Sequence, residues 1–488
     1  MNWRRWAIRT CVIMQKASLT GLKPDYLRKA ITTTDRELQD AIVAVEFYDE
    51  QSKRASFMRQ KPMSVEALAR LQRDTFGYFK NETNLANGLV PDNTRIGAHA
   101  SIAAIGLGLA AYPVAVERAF ISREEAVERV LTTLRFFWNS VQGKDPDATG
   151  YQGFYYHFLH MDTGRRAWQC ELSTIDSTIL IAGALAAATY FDHESAQEHE
   201  IRKLADDLYR RMDWQWATSA VGKVSMGWKP ESGFLPYHWE GHNEAILLHV
   251  LGLASPTHPL AAETYKAFTS TYCWKEIYGQ ECLYAGPLFI HQLSHMWIDF
   301  SGIQDDFMRA KGIDYFENSR RATYVQQQYA IRNPHEFRGY GEYAWGFTAS
   351  DGPGPKVLKV DGIERRFFDY EARGAPYGPE DGTIAPWAAA TSLPFAPEIV
   401  LPTLQYFNDV YPDMTSKYGF KCSFNPTFKE GYESARGWVS KGYYGLDQGP
   451  VVVMIENYRT GFFWNLMRRC PYLTDGLRRA GFEGGWLS

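Results

Sequence analysis

Carboxylates recur in short polar segments that run into apolar stretches of this sequence. They are Glu171 and Asp176 (CELSTIDST), Glu240 and Glu244 (WEGHNEA), Asp351 (TASDGP), Glu380 and Asp381 (PEDGTIAP) and Asp447 (GLDQGP). A carboxylate beside a helix start can serve simply as a cap, favoured by the backbone N–H groups there. That reading accounts for each residue singly, but not for acids accompanying one apolar segment after another. Cleavage of a glycosidic bond needs two carboxylates flanking one scissile bond, and flat rings suit the faces of sugars.

The rings are present. The stretch Phe337–Phe347, FRGYGEYAWGF, sets Tyr340, Tyr343 and Trp345 among glycines. Glycine lets a backbone approach a ligand closely, while the alternative is an aromatic cluster buried under a loop. His291 and His295 stand four apart in HQLSHMWID, with Asp299 a turn later. One helical face would carry all three, a loose metal pattern without the catalytic Glu of HExxH. Hydrogen-bonding cavity histidines are the preferred expectation, so neither metal nor cofactor is expected. In ENYRTG, Arg459 is expected to pair with Glu456 and brace a cavity floor. GxGxxG, Walker A, GxSxG and HExxH patterns are missing, against the corresponding nucleotide, hydrolase and zincin classes.

The elements that would position these groups alternate in kind. Segments that are apolar all round begin near Ala98, Ser177, Glu244, Pro287, Thr383 and Pro450, and such helices must be buried on every side. Helices with one apolar stripe lie between them. Ser122–Asn139 opens on a capping box of Ser122 and Glu125, Ala196–Trp214 follows, and Val65, Leu68, Leu71, Phe76 and Phe79 line the first. The pattern predicts an all-α fold, an (α/α)6 toroid of six inner and six outer helices over residues 63–488. Residues 1–62, with a capped amphipathic segment Thr34–Gln51 and a basic tract Lys53–Lys61, read as an N-terminal helical extension. Long loops at one end of the ring would carry function, with a small hairpin of Phe154–Leu159 and Gly164–Trp168 at that rim.

Composition narrows the classes. Lys plus Arg total 52 against 56 Asp plus Glu, a net charge of −4, which argues against a nucleic-acid partner. Six scattered cysteines without a CxxC pair support neither a zinc ribbon nor a disulfide scaffold. The apolar stretch Trp6–Met14 is interrupted by Arg9, a poor export signal. The longest uncharged run, Ala100–Val116, is broken by Pro113 and is short for a membrane span. A cytoplasmic monomer or dimer is expected, with a periplasmic site as the alternative.

Several ordered blocks carry a resemblance. GHNEAILLHVLGLASPTHPL, GPLFIHQLSH, NPHEFRGYGEYAWGFTASDGPG, DGTIAPWAAATSLPFAPE and GLDQGPVVVMIENYRTGFFW resemble the glucoamylase-like (α/α)6 family, including the endo-β-1,2-glucanases of glycoside hydrolase family 144. The resemblance runs from about Met63 to Phe482. It implies an inverting, endo-acting hydrolase of β-1,2-glucan, with Glu244 as general acid and Asp381 as base. The lead-in ELSTIDST departs from the family's VET-like triplet, so Glu171 or Asp176 is the alternative base. Trp239, His242, Asn243, His291, Tyr340, Tyr343, Trp345, Asp351, Asp447 and Arg459 are the expected sugar-binding residues. The acid must carry its proton near neutrality, so Glu244 should titrate high, walled by Trp239 and His242. The alternatives are an exo-acting disaccharide-releasing hydrolase, another glucosidase or transglycosylase of this fold, and a non-catalytic sugar-binding toroid.

Overall fold

A computed structural model describes residues 60–430 and 436–488. One compact unit spans Pro62–Ser488. The segment Thr34–Gln51 and nearly all of the basic tract lie outside the described residues.

Apolar-all-round sequence becomes buried helix. The run expected near Ala98 forms α2, Ile102–Glu117, and the run near Ser177 forms α4, Thr174–Tyr190. Both are capped by a serine hydroxyl, Ser101 and Ser173, accepting from a backbone N–H of the first turn. They approach backbone to backbone. A side chain at Gly183 would sit 2.1 Å from the Gly106 carbonyl oxygen, and one at Gly106 would sit 2.3 Å from that of Ile179. These two positions therefore admit only glycine without separating the helices.

The other inner elements are α6, Ile246–Ala254; α8, Leu293–Trp297; α11, Pro386–Thr391; and α13, Gly445–Thr460. Helix α2 packs on α4 and α13, α4 on α6, α6 on α8, and α11 on α13. Gln292, just before α8, ties that element to α11 by donating to the Ala388 carbonyl and the Ser392 hydroxyl. Amphipathic helices back this set. Among them α1, Val65–Glu82, lies on α2 and α13; α3, Arg123–Asn139, and α5, Ala196–Arg211, pack together; and α12, Pro397–Val410, lies on α11. Helix α15, Pro471–Arg479, packs on α6.

Several local expectations need correction. Val65 is exposed, because the stripe of α1 runs through Leu68, Leu71, Phe76 and Phe79. Glu125 does not return a capping-box bond but pairs with Arg129 one turn on, while the Ser122 cap forms. The all-α expectation omits strands in the long loops. Gly150–Tyr151 (β1), Phe154–Tyr156 (β2), Leu172–Ser173 (β3), Gly227–Lys229 (β4) and Gly233–Phe234 (β5) form an antiparallel sheet in that order. A separate hairpin joins Lys356–Val360 (β6) to Ile363–Phe367 (β7). The hairpin expected between 154–159 and 164–168 reduces to one bridge, Leu159 with Arg166, because β2 finds its partners in β1 and β3.

Candidate active site

The segments leading into the inner helices bond to one another in sequence around one end of the bundle. The Ile102 N–H donates to the His157 carbonyl, and Thr174 to that of Met226. The Trp239 indole N–H reaches the Thr174 hydroxyl at 2.9 Å, and His242 meets His291 at 3.1 Å. Leu288 donates to Phe347, Ile384 pairs with Phe424, and Gly445 donates back to the Asp92 carbonyl beside α2. The lead-in side chains therefore share one surface.

Glu244, just ahead of α6, is a partly exposed acid whose surroundings oppose ionisation. Burial, together with the negative charge of Asp176, pushes its carboxyl up to about 7. Asp176 sits in the first turn of α4, accepts the Ser173 hydroxyl at 2.5 Å, and lies 3.7 Å from His157 Nε2. His157 Nδ1 lies 2.8 Å from Glu171. Burial works against charge on this imidazole, but Asp176 and Glu171 outweigh it and raise the ring to about 9. Burial likewise raises Glu171, yet the bond to cationic His157 leaves it below the ordinary carboxylate range.

The acids continue along the wall. Burial and the charge of Asp176 raise Asp92, which accepts from the Asn93 amide. Asp447, in the first turn of α13, is 1% exposed, and burial holds it well above the usual range, with Asp92 and Asp351 adding repulsion. Its Oδ2 is buried with no hydrogen-bond partner among the described residues. Asp351 accepts from Arg95 at 2.6 Å and the Ser440 hydroxyl at 2.7 Å. Glu244, Asp176, Asp92, Asp447 and Asp351 thus form an arc in which each acid senses the next. Asp92, Arg95 and His157 were not singled out from sequence. Asp92 shortly precedes the apolar run that begins near Ala98 and was legible as a lead-in acid; His157 lies in a strand-forming run with no chemical signature.

Asp381 is not available as a base. It is fully buried in a bidentate pair with Arg373, both contacts 2.8 Å, and accepts further bonds from the Phe368 and Thr383 N–H groups. Its oxygens hold the loop that carries Phe368. Neighbouring Glu380 is bound by the hydroxyls of Tyr329 and Tyr340, the latter at 3.3 Å. Burial raises it.

The aromatic segment divides. Tyr340 is half-buried on Glu380, Tyr343 stacks toward Tyr406 of α12 at 6.0 Å between ring centres, and Trp345 is fully buried in the core. Tyr343 and Trp345 therefore read as packing residues. Asn243 spends its amide on the Glu240 carbonyl and the Ala245 N–H, shaping the turn before α6. Glu240 is paired with Lys223. Arg459 lies at the far end of α13 from Asp447 and bonds Gln72; Glu456 pairs instead with Arg118 at 2.5 and 2.7 Å. Arg459 is thus removed from the lead-in surface.

The helix expected across HQLSHMWID is broken. A 3-10 turn, Leu288–His291, ends at Gln292 before α8 begins. His291 turns to His242, His295 bonds the Ser319 hydroxyl at 2.9 Å, and Asp299 pairs with Arg468. The three side chains do not converge. Burial keeps both rings neutral, His291 down to about 4 and His295 to about 3, and among the described residues no acidic, His or Cys group is arranged as a metal site. The described cysteines are unpaired.

Comparison with known proteins places this arrangement. Residues 236–471 match the family described as "putative glucoamylase". A Bacteroides uniformis protein of the same description is 33% identical, with a TM-score of 0.76 over 88% of this chain and 100% of its own. The chain belongs to the glucoamylase-like family. Within this family, the endo-β-1,2-glucanase from Chitinophaga pinensis is 26% identical over 86% of this chain and 99% of its own, with a TM-score of 0.75. An exo-β-1,2-glucooligosaccharide sophorohydrolase from Parabacteroides distasonis is 28% identical over 86% of this chain. The chain spans 58% of that relative's length. Among the described residues, no helix is long and apolar enough to cross a membrane.

Proposed function

We propose that this glucoamylase-like protein is a glycoside hydrolase of β-1,2-linked glucose chains, working from the lead-in end of an (α/α)6 toroid formed by residues 63–488. The observation that carries this reading is Glu244: a partly exposed lead-in carboxyl beside ionisable acids, raised by burial and the charge of Asp176 to about 7 so that it keeps a substantial protonated fraction near neutrality. That is what a general acid must be if it is to protonate a departing glycosidic oxygen. The relatives that act on β-1,2-glucan supply the linkage.

Inversion requires the second carboxylate to activate water from the other side of the sugar. Asp447 heads α13, three inner elements along from Glu244 at α6, and one of its oxygens has no hydrogen-bond partner among the described residues. A water donating to that oxygen would have to offset the burial that holds the Asp447 carboxyl well above its usual range, since only the ionised carboxylate can take a proton. Asp447 replaces Asp381 as the proposed base. Asp176, beside Glu244, keeps the acid protonated between turnovers, and Glu171 with His157 fixes Asp176. Asp176 itself is the second candidate base, supported by its greater exposure and its direct influence on Glu244.

The test is incubation with linear β-1,2-glucan, following product size and anomeric configuration. Glu244→Gln should abolish turnover. Asp447→Asn should lose it while Asp176→Asn keeps a measurable rate; the opposite order assigns the base to Asp176. A spread of chain lengths marks interior cleavage, the endo reading. Disaccharide alone marks terminal cleavage, which the sophorohydrolase relative supports.

A further inference from the structure

Trp168 is a large apolar ring packed beside the lead-in segments on His99 and Phe158, 66% exposed. The chain around it is built to keep it there. Trp168 and Gln169 both take left-handed backbone, with φ of 53° and 52°, a conformation that non-glycine residues adopt only when their surroundings impose it. Arg166, itself buried, imposes it. The guanidinium donates to the carbonyls of Pro146, Gln169 and Cys170 and pairs with Glu231 at 2.6 Å. The Ala167 N–H donates to Phe158.

The indole makes steeply inclined contacts with two neighbouring rings. The His99 ring centre is 4.2 Å away at 64°, and that of Phe158 is 5.2 Å away at 62°. Despite these contacts, most of the indole stays open to solvent. Phe158 stacks flat on His157 at 4.0 Å, and His157 holds Glu171 and flanks Asp176. The ring is therefore connected to Glu171 and Asp176 through two aromatic contacts, and an exposed indole on a rigid loop suits the C–H face of a pyranose.

We infer that Trp168 is a sugar-stacking platform that fixes a glucosyl unit of the β-linked chain beside the Glu171–His157–Asp176 group. The inference rests on the proposed hydrolase reading and adds a binding residue to it. Trp168 does not touch the reacting atoms, so it acts on capture of the chain and on which bond reaches Glu244.

The experiment compares wild type, Trp168→Ala, Trp168→Phe and a Trp138→Ala control at the end of α3, using β-1,2-gluco-oligosaccharides of increasing length. Loss of stacking should raise KM about tenfold for chains long enough to reach the ring, with kcat within about twofold. The Phe variant should recover most of that loss, the control should match wild type, and the product-size distribution should shift in the Ala variant. An active wild type whose KM and products are unchanged by Trp168→Ala at every length overturns the platform and leaves the hydrolase reading intact. A wild type that neither binds nor cleaves these chains overturns both.

Discussion

Residue environment, more than residue type, separates the acids of this protein into roles. Glu244 and Asp381 are both lead-in carboxylates, yet burial and a like charge raise one to about 7 while the other has every oxygen engaged by Arg373 and backbone N–H groups. Two expectations follow. Activity requires protonated Glu244, so it should fall as pH rises through about 7. Because the charge of Asp176 raises that value, Asp176→Asn should move the alkaline limb of kcat/KM to lower pH. An unmoved limb would refute the coupling. By contrast, Asp381→Asn should act on stability, because one partner of a buried ion pair is lost. A cost of about 3–5 kcal/mol is expected in urea unfolding, with folded enzyme losing far less activity than Glu244→Gln. Sequence could not divide these two roles, since the residue that occupies Asp381 is Arg373, eight positions away in a loop with no periodicity to mark it.

At the level of elements, the long regular pieces were legible and the broken ones were not. The runs behind α2 and α4 are apolar all round and continuous, so burial on every side was their only stable outcome. The fourth inner segment reads as one helix over HQLSHMWID, but forms a 3-10 turn and a short helix because Gln292 turns aside to bond α11. The sheet β1–β5 went unread because its strands are two or three residues long, too short to display alternation. Close packing of α2 on α4 gives a direct test. Gly183→Ala places a methyl against the Gly106 carbonyl, and should destabilise by about 1–3 kcal/mol. Thermal unfolding would show this, and an unchanged midpoint would mean the helices separate without cost.

Across the whole molecule, the surface that carries the acids exists only when the set of inner helices is complete. Asp92 beside α2 and Asp447 at α13 are held together by the Gly445–Asp92 and Thr94–Tyr443 backbone bonds, across some 350 positions of sequence. Contacts of that span form late, and no single lead-in displays the arc by itself, which is why sequence could nominate its members but not their order. The same arrangement has a consequence for synthesis. Helix α2 needs α13 against one flank, and α13 leaves the ribosome about 340 residues after α2, a delay of roughly 20–70 s at ordinary elongation rates. For that interval the nascent chain carries a helix with one apolar flank uncovered, so its yield depends on whatever shields such surfaces during translation.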